Sequence, residues 1–161
     1  FDTGGSFYSG SKALAEKAIA PFLESTNSVI LRMRMPFANE PNPKNLITKF
    51  LEYDNVVEGK NSMTYMPFFC QVVEKFAFGE IKEGGIFNTV CCNAIDHVQI
   101  LEMLNVRYEK NIITREELKQ MTVAPRSFCG LETWKLQSFM DVMWIEDAME
   151  RACWANKKDE W

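Results

Sequence analysis

The sequence predicts an α/β fold, and three observations carry that expectation. Segments with helical spacing alternate with short apolar runs along the chain. One run, Ser28-Val29-Ile30-Leu31-Arg32-Met33, has the β-branched, near-continuous apolar character of a buried parallel strand. A second, Ile86-Phe87-Asn88-Thr89-Val90, opens directly after the glycine pair Gly84-Gly85.

Taken in order, residues 1–5 read as a loop, with Thr3 or Ser6 able to cap the helix that follows. Leu14, Ala15, Ala18, Ile19 and Phe22 recur at helical spacing. That helix is expected to reach about Ala20, because an interior proline at Pro21 deletes a hydrogen bond and clashes one turn back. After the strand at 28–33, residues 36–43 form a polar, proline-rich loop at its C-terminal end, the place where open α/β sheets bind ligands. Residues 44–53 read as a short helix with Leu46, Ile47, Phe50 and Leu51 on one side, 55–57 as a brief strand and 61–64 as a loop.

Residues 66–78 predict a helix burying Phe68, Phe69, Val72, Val73, Phe76 and Ala77. Beyond the strand at 86–90, residues 95–104 read as a helix with Asp96 in its first turn. Residues 105–120 are polar and end in a helix whose Thr114-x-x-Glu117 spacing suits a capping box. Residues 123–136 carry Arg126-Ser127 and Lys135-Leu136, a helix is expected over 145–155, and 157–161 read as a frayed tail.

The 161 residues amount to one domain's worth of chain, and 47% hydrophobic content can fill a core. A net charge of −4 offers no basic field for nucleic acid or an anionic membrane. No apolar run approaches the roughly 20 residues that span a bilayer. The five cysteines, at 70, 91, 92, 129 and 153, show no C-x-x-C spacing, and with one histidine, His97, the usual zinc sites are not expected. Reduced thiols in a cytoplasmic protein are the reading, and His97 reads as a satisfied or exposed side chain rather than a catalytic one.

The chemistry concentrates in Gly4-Gly5-Ser6-Phe7-Tyr8-Ser9-Gly10-Ser11-Lys12. Helix positions i and i+4 are neighbours, so the Lys12 ammonium can sit beside the Tyr8 phenol. A cation beside a phenol favours the phenolate and suits such a pair to general acid–base work. On spacing alone a surface lysine beside a half-buried tyrosine competes with that reading.

Three further blocks accompany this run: Leu31-Arg32-Met33-Arg34-Met35-Pro36, Asn42-Pro43-Lys44-Asn45-Leu46-Ile47-Thr48-Lys49, and Asn61-Ser62-Met63-Thr64. Together with Gly5-Ser6-Phe7-Tyr8-Ser9, Lys12-Ala13 and Glu16, their order and spacing resemble the extended short-chain dehydrogenases/reductases. The likeness is to the nucleotide-sugar branch that finishes rhamnose synthesis, and it covers most of the chain. Three places depart from that pattern: Met66-Pro67-Phe68-Phe69 where acidic residues are usual, Glu132 where aspartate is usual, and Pro21.

The resemblance implies NADPH-dependent (or NADH-dependent) reduction of a 4-keto group on a nucleotide-activated 6-deoxysugar. In plant-like versions the same polypeptide also epimerises carbons 3 and 5. Tyr8 would donate a proton to the ketone oxygen, and Lys12 would hold the nicotinamide ribose. Met35 and Pro36 would line the nicotinamide and sugar pocket, against plain core packing. Asn45 would contact the sugar or its diphosphate, against a helix-start role, and Arg126 the nucleotide diphosphate, against a surface ion pair.

In that family Tyr-x-x-x-Lys follows most of the nucleotide-binding sheet, and no G-x-G-x-x-G occurs in these 161 residues. Residues 1–36 are therefore expected to be the end of a Rossmann core and 37–161 a mixed remainder with the substrate-binding subdomain. The chain would then be the C-terminal portion of a longer enzyme, inactive by itself, with the Ser or Thr that completes the catalytic set upstream. The NDP-sugar is the expected partner, and a homodimer is allowed. Two other readings stay open: an epimerase or dehydratase of the same family, and a non-enzymatic regulatory subunit of methionine adenosyltransferase.

Overall fold

In the computed structural model, residues 7–122 and 128–157 are described. Helix α1 (Phe7–Ile19) leads into a 3₁₀ turn, Ala20–Phe22. Pro21 sits at the start of that turn, where its missing N–H costs nothing, so the helix stops where the sequence places the stop. Strand β1 (Val29–Arg32) follows and pairs in parallel with a strand from the middle of the chain. It is half-buried along its length, not fully buried as its apolar run predicts. Two-residue β2 (Pro36–Phe37) comes next, inside the segment expected to be loop, and then α2 (Leu46–Glu52).

The middle of the chain departs most from expectation. After β3 (Asn55–Val57), residues 61–64 are not a loop: β4 (Lys60–Asn61) and β5 (Thr64–Tyr65) run through them, and Asn61, Ser62, Met63 and Thr64 are all buried. Helix α3 (Met66–Ala77) buries Phe68 and Val72, while Phe69 and Phe76 are half-buried and Val73 and Ala77 exposed. The helix lies against the body on a narrower stripe than its apolar content implies.

Strand β6 (Gly85–Asn88) is the parallel partner of β1, with Leu31 opposite Phe87. Short β7 (Ile95–Asp96) precedes α4 (His97–Met103), where Asp96 is the N-cap and forms a capping box with Gln99. A 3₁₀ turn (Arg107–Glu109) leads to β8 (Asn111–Ile113), a strand inside the stretch read as polar and irregular. Helix α5 (Arg115–Met121) carries the expected Thr114–Glu117 capping box, and α6 (Trp134–Gln137) and α7 (Ile145–Lys157) close the described chain. The remainder of the expected tail, 158–161, lies outside the described residues.

Pairings β1–β6, β2–β5 and β3–β8 are parallel, and β4–β7 is antiparallel. Parallel neighbours require crossover connections, usually helical; α2 lies between β2 and β5, and α4 between β3 and β8. The core gathers Phe37, Ile47, Met63, Phe68, Phe87, Ile100, Leu101, Leu136, Ile145 and Met149. Helix α7 packs against α2, α4 and β5. The α/β expectation holds.

Candidate active site

Tyr8 and Lys12 both lie on α1, with the lysine Nζ 5.7 Å from the centroid of the tyrosine ring. Tyr8 is 71% exposed, and α1 has no buried residue. One ion pair fixes the helix to β1: Arg32 Nε donates to Glu16 Oε2 at 2.7 Å, and Nη2 donates to Oε1. The Arg32 guanidinium holds the Glu16 carboxyl below its usual range, against partial desolvation.

At the C-terminal end of β1 the backbone turns through Met35 with φ +42°. A long L side chain rarely adopts this left-handed conformation, and such strain persists only where the surroundings enforce it. Here Arg34 N donates to Thr64 Oγ1 at 3.0 Å, and Thr64 N donates to Arg34 O at 2.8 Å. The Arg34 guanidinium donates to Asn61 Oδ1 at 2.7 Å. Residue 34 is clamped on both sides, so Met35 must turn. Met35 is half-buried against the core and Pro36 exposed, which places them at the mouth of the strand end.

Asn45 takes the helix-start role. Its Oδ1 accepts from Ile47 N and Ala38 N, and its Nδ2 donates to the carbonyls of Ala38 and Glu40, both at 2.8 Å. Two acceptor sites and two N–H groups are thus committed. Asn45 shapes the loop beyond β2, and a direct contact with substrate would cost it one of these bonds.

The block 61–64, read only as part of a resemblance, organises the region. Asn61 Oδ1 accepts from Arg34 and from Cys129 N at 3.1 Å, and Ser62 Oγ accepts from Leu131 N at 2.8 Å. It therefore ties the β1 end to residues 129–131. His97 completes the network: its Nδ1 lies 2.9 Å from Val57 O, which makes that nitrogen the donor, and Nε2 accepts from Asn61 Nδ2 at 3.2 Å. Burial holds the His97 ring below its ordinary value, opposed by the Val57 carbonyl and Asp96 and reinforced by Arg34. Buried and bonded at both nitrogens, it is the satisfied histidine that was expected.

A cleft of about 170 Å³ is lined by Arg115, Leu118, Lys119, Thr122 and Phe128. Arg115 stacks on the Phe128 ring at 4.1 Å. Gly59, at φ +138°, lets that ring approach so closely that a Cβ would stand 2.5 Å from it. Thr122 and Phe128 bracket in sequence the segment that contains Arg126, which itself lies outside the described residues. Among the candidate residues, the structure joins Tyr8 to Lys12 and sets Met35 beside Pro36; no hydrogen bond or ion pair links the two groups. The five cysteines are free thiols, and burial pushes Cys91 up to about 11. Among the described residues no cluster of acidic, His or Cys side chains could hold a metal, and no helix is long and apolar enough to cross a membrane.

No family model matches the chain. It is 33% identical to the bifunctional dTDP-4-dehydrorhamnose 3,5-epimerase/dTDP-4-dehydrorhamnose reductase of Arabidopsis thaliana, over 97% of this chain and 52% of that protein. It is 34% identical to a trifunctional UDP-glucose 4,6-dehydratase/UDP-4-keto-6-deoxy-D-glucose 3,5-epimerase/UDP-4-keto-L-rhamnose-reductase of the same plant, over 96% of this chain and 23% of that one. The crystal structure of the UDP-rhamnose synthase from Acanthamoeba polyphaga mimivirus superposes with a TM-score of 0.83 at 30% identity, over 94% of this chain and 53% of that one.

The chain is a homologue of rhamnose-synthesis enzymes. It spans about half the length of the bifunctional relative and about a quarter of the trifunctional one. As a rhamnose-synthesis homologue it has a Rossmann-type α/β fold, which extends to more distant structures. The dTDP-4-dehydrorhamnose reductase of Bacillus anthracis, solved with NADP, matches with a TM-score of 0.56 at 15% identity over 76% of this chain and 47% of that one, a likeness of fold alone.

Proposed function

We propose that the complete protein reduces the 4-keto group of a nucleotide-activated 6-deoxysugar, the reductase step of NDP-rhamnose synthesis, with NADPH as reductant. The observation that carries this reading is the Lys12 ammonium beside the Tyr8 phenol on an exposed helix face. It is read in a chain whose homologues are named for that chemistry.

The residues present fit the ribose end of such a cofactor. Lys12 is exposed and in no salt bridge among the described residues, so its N–H donors are open to ribose hydroxyls. When bound, NADPH supplies a hydride to carbon 4. Tyr8 gives its hydroxyl proton to the oxygen of that carbon, and Lys12 stabilises the charge left on the phenol. The Met35 turn and Pro36 close the strand end over the reacting ring, and the loop pinned by Asn45 forms the neighbouring wall. Arg126 takes the diphosphate. Its residue type supports that role, since planar guanidinium forks bind phosphate bidentately, and the cleft lined by Arg115 and Lys119 offers further cations.

The test supplies the complete protein with the 4-keto-6-deoxyglucose nucleotide and follows NADPH oxidation. Wild type should consume NADPH, and Tyr8→Phe should lose roughly 10² or more of kcat, the scale of a general-acid contribution. No net consumption by the wild type would point instead to an epimerase, a dehydratase or a regulatory subunit.

A further inference from the structure

Tyr8, Lys12 and Glu16 stand at i, i+4 and i+8 on α1, so a phenol, an ammonium and a carboxylate follow one another on one face. Lys12 and Glu16 are thus spaced for an ion pair along the helix. No salt bridge joins them among the described residues. Glu16 instead gives both oxygens to Arg32 of β1, while Lys12 Nζ stays near the Tyr8 ring. The pair is shielded, with the Glu16 and Arg32 side chains 14% and 31% exposed. Arg32 is braced from behind: Nη1 lies 3.5 Å from Asn88 Oδ1, and Asn88 Nδ2 donates to Glu132 O at 2.7 Å. Arg32 from β1 is the charged group bonded to the Glu16 carboxylate, and Lys12 stands one turn back on the same helix. The β6 neighbour, Asn88, is neutral.

We infer that Arg32 is a positioning residue for the Tyr8–Lys12 pair: by occupying both oxygens of Glu16 it keeps that carboxylate from drawing the Lys12 ammonium down the helix, away from the phenol. The inference rests on the proposed roles of Tyr8 and Lys12. A bidentate guanidinium suits the task, because a planar fork satisfies both carboxylate oxygens at once. With Arg32 removed, Lys12 is the cation one turn from Glu16 on the same helix face. The ion pair that forms along α1 then cancels the positive field at the phenol.

The test is a pH–rate profile on the complete protein for wild type, Tyr8→Phe, Arg32→Gln and the double variant Arg32→Gln/Glu16→Gln. Arg32→Gln should move the alkaline limb of kcat to higher pH and lose roughly tenfold of kcat near neutrality, part of the 10²–10⁴ that positioned proton transfer contributes. The double variant should return the limb to the wild-type position, because no carboxylate remains to capture Lys12. A merely structural clamp predicts the opposite, since the double variant lacks the clamp as well. An unmoved limb in Arg32→Gln, or a shift that survives in the double variant, overturns the inference while Tyr8→Phe remains inactive. If Tyr8→Phe turns over like wild type, the proton-donor reading falls and takes this inference with it. Should Arg32→Gln fail to fold, Arg32→Lys with and without Glu16→Gln makes the same comparison with a smaller shift.

Discussion

His97 and Asn61 show how a single buried side chain links distant segments. The ring donates to Val57 O and accepts from Asn61, and Asn61 spends its oxygen on Arg34 and the Cys129 amide. A proton added at Nε2 would face the Asn61 N–H donors, with the Arg34 cation close behind. The folded state therefore resists protonation, as burial already dictates. The folded value is depressed from the ordinary 6.5, so this contribution to stability is complete above about 6.5 and is lost as pH falls from there through the folded value. The loss is about 1.4 kcal/mol for each pH unit between the ordinary and folded values. Urea unfolding midpoints should be lower at pH 5 than at pH 7.5. His97→Gln keeps a donor and an acceptor in the ring's place but cannot titrate, and should flatten that difference. An equally steep variant would place the acid sensitivity elsewhere. The sequence foretold a satisfied or exposed histidine rather than a catalytic one, but neither its burial nor its partners, because Val57 and Asn61 lie 40 and 36 residues away. Asn45 was legible as a helix start for a local reason: a cap acts within a few residues.

Elements were legible where a pattern had room to repeat. The seven-residue or longer helices α1, α2, α3, α4, α5 and α7 declare themselves by periodicity or by capping chemistry at Asn45, Asp96 and Thr114. Two-residue strands β2, β4, β5 and β7 cannot display the alternation that marks a strand. They form because buried Thr64 and Asn61 find partners across the fold. Strand β8 was hidden because Ile112 and Ile113 sit in a polar stretch and pair with β3, which lies 56 residues upstream. The glycine pair at 84–85 was read correctly as the opening of β6, though its reason is tertiary. A Cβ on Gly84 would stand 2.7 Å from the Leu23 carbonyl oxygen and 3.2 Å from Glu24 Cα, and backbone cannot swing aside as a side chain can. Gly84→Ala should therefore push β6 from the turn after α1 and destabilise the protein by about 1–3 kcal/mol, the usual range for overpacking. The check is the midpoint of chemical denaturation; an unchanged midpoint would mean that the turn yields freely.

At the scale of the whole molecule, the side of the chain that bears Tyr8 and Lys12 is open, with no buried residue on α1. Helix α1 and the turn after it expose Phe7 at 93%, Leu14 at 69% and Phe22 at 61%, and β1 pairs only with β6 among the described residues. A half-buried parallel strand with a free edge is a template for further pairing, and contiguous exposed apolar side chains mark a surface that meets protein. The homologues are about twice this length or more, so residues outside the aligned portion are available to cover the equivalent surface in them. Residues 1–161 on their own should therefore self-associate. Light scattering coupled to size exclusion should give a mass that rises with loading concentration. The substitutions Phe7→Ser, Leu14→Gln and Phe22→Ser, made together on largely exposed side chains, should return the mass toward the monomer without lowering the unfolding midpoint. A monomer at every concentration would show that α1 and the β1 edge are adequately shielded within this chain. The same result would weaken the view that Tyr8 faces a pocket completed by further residues.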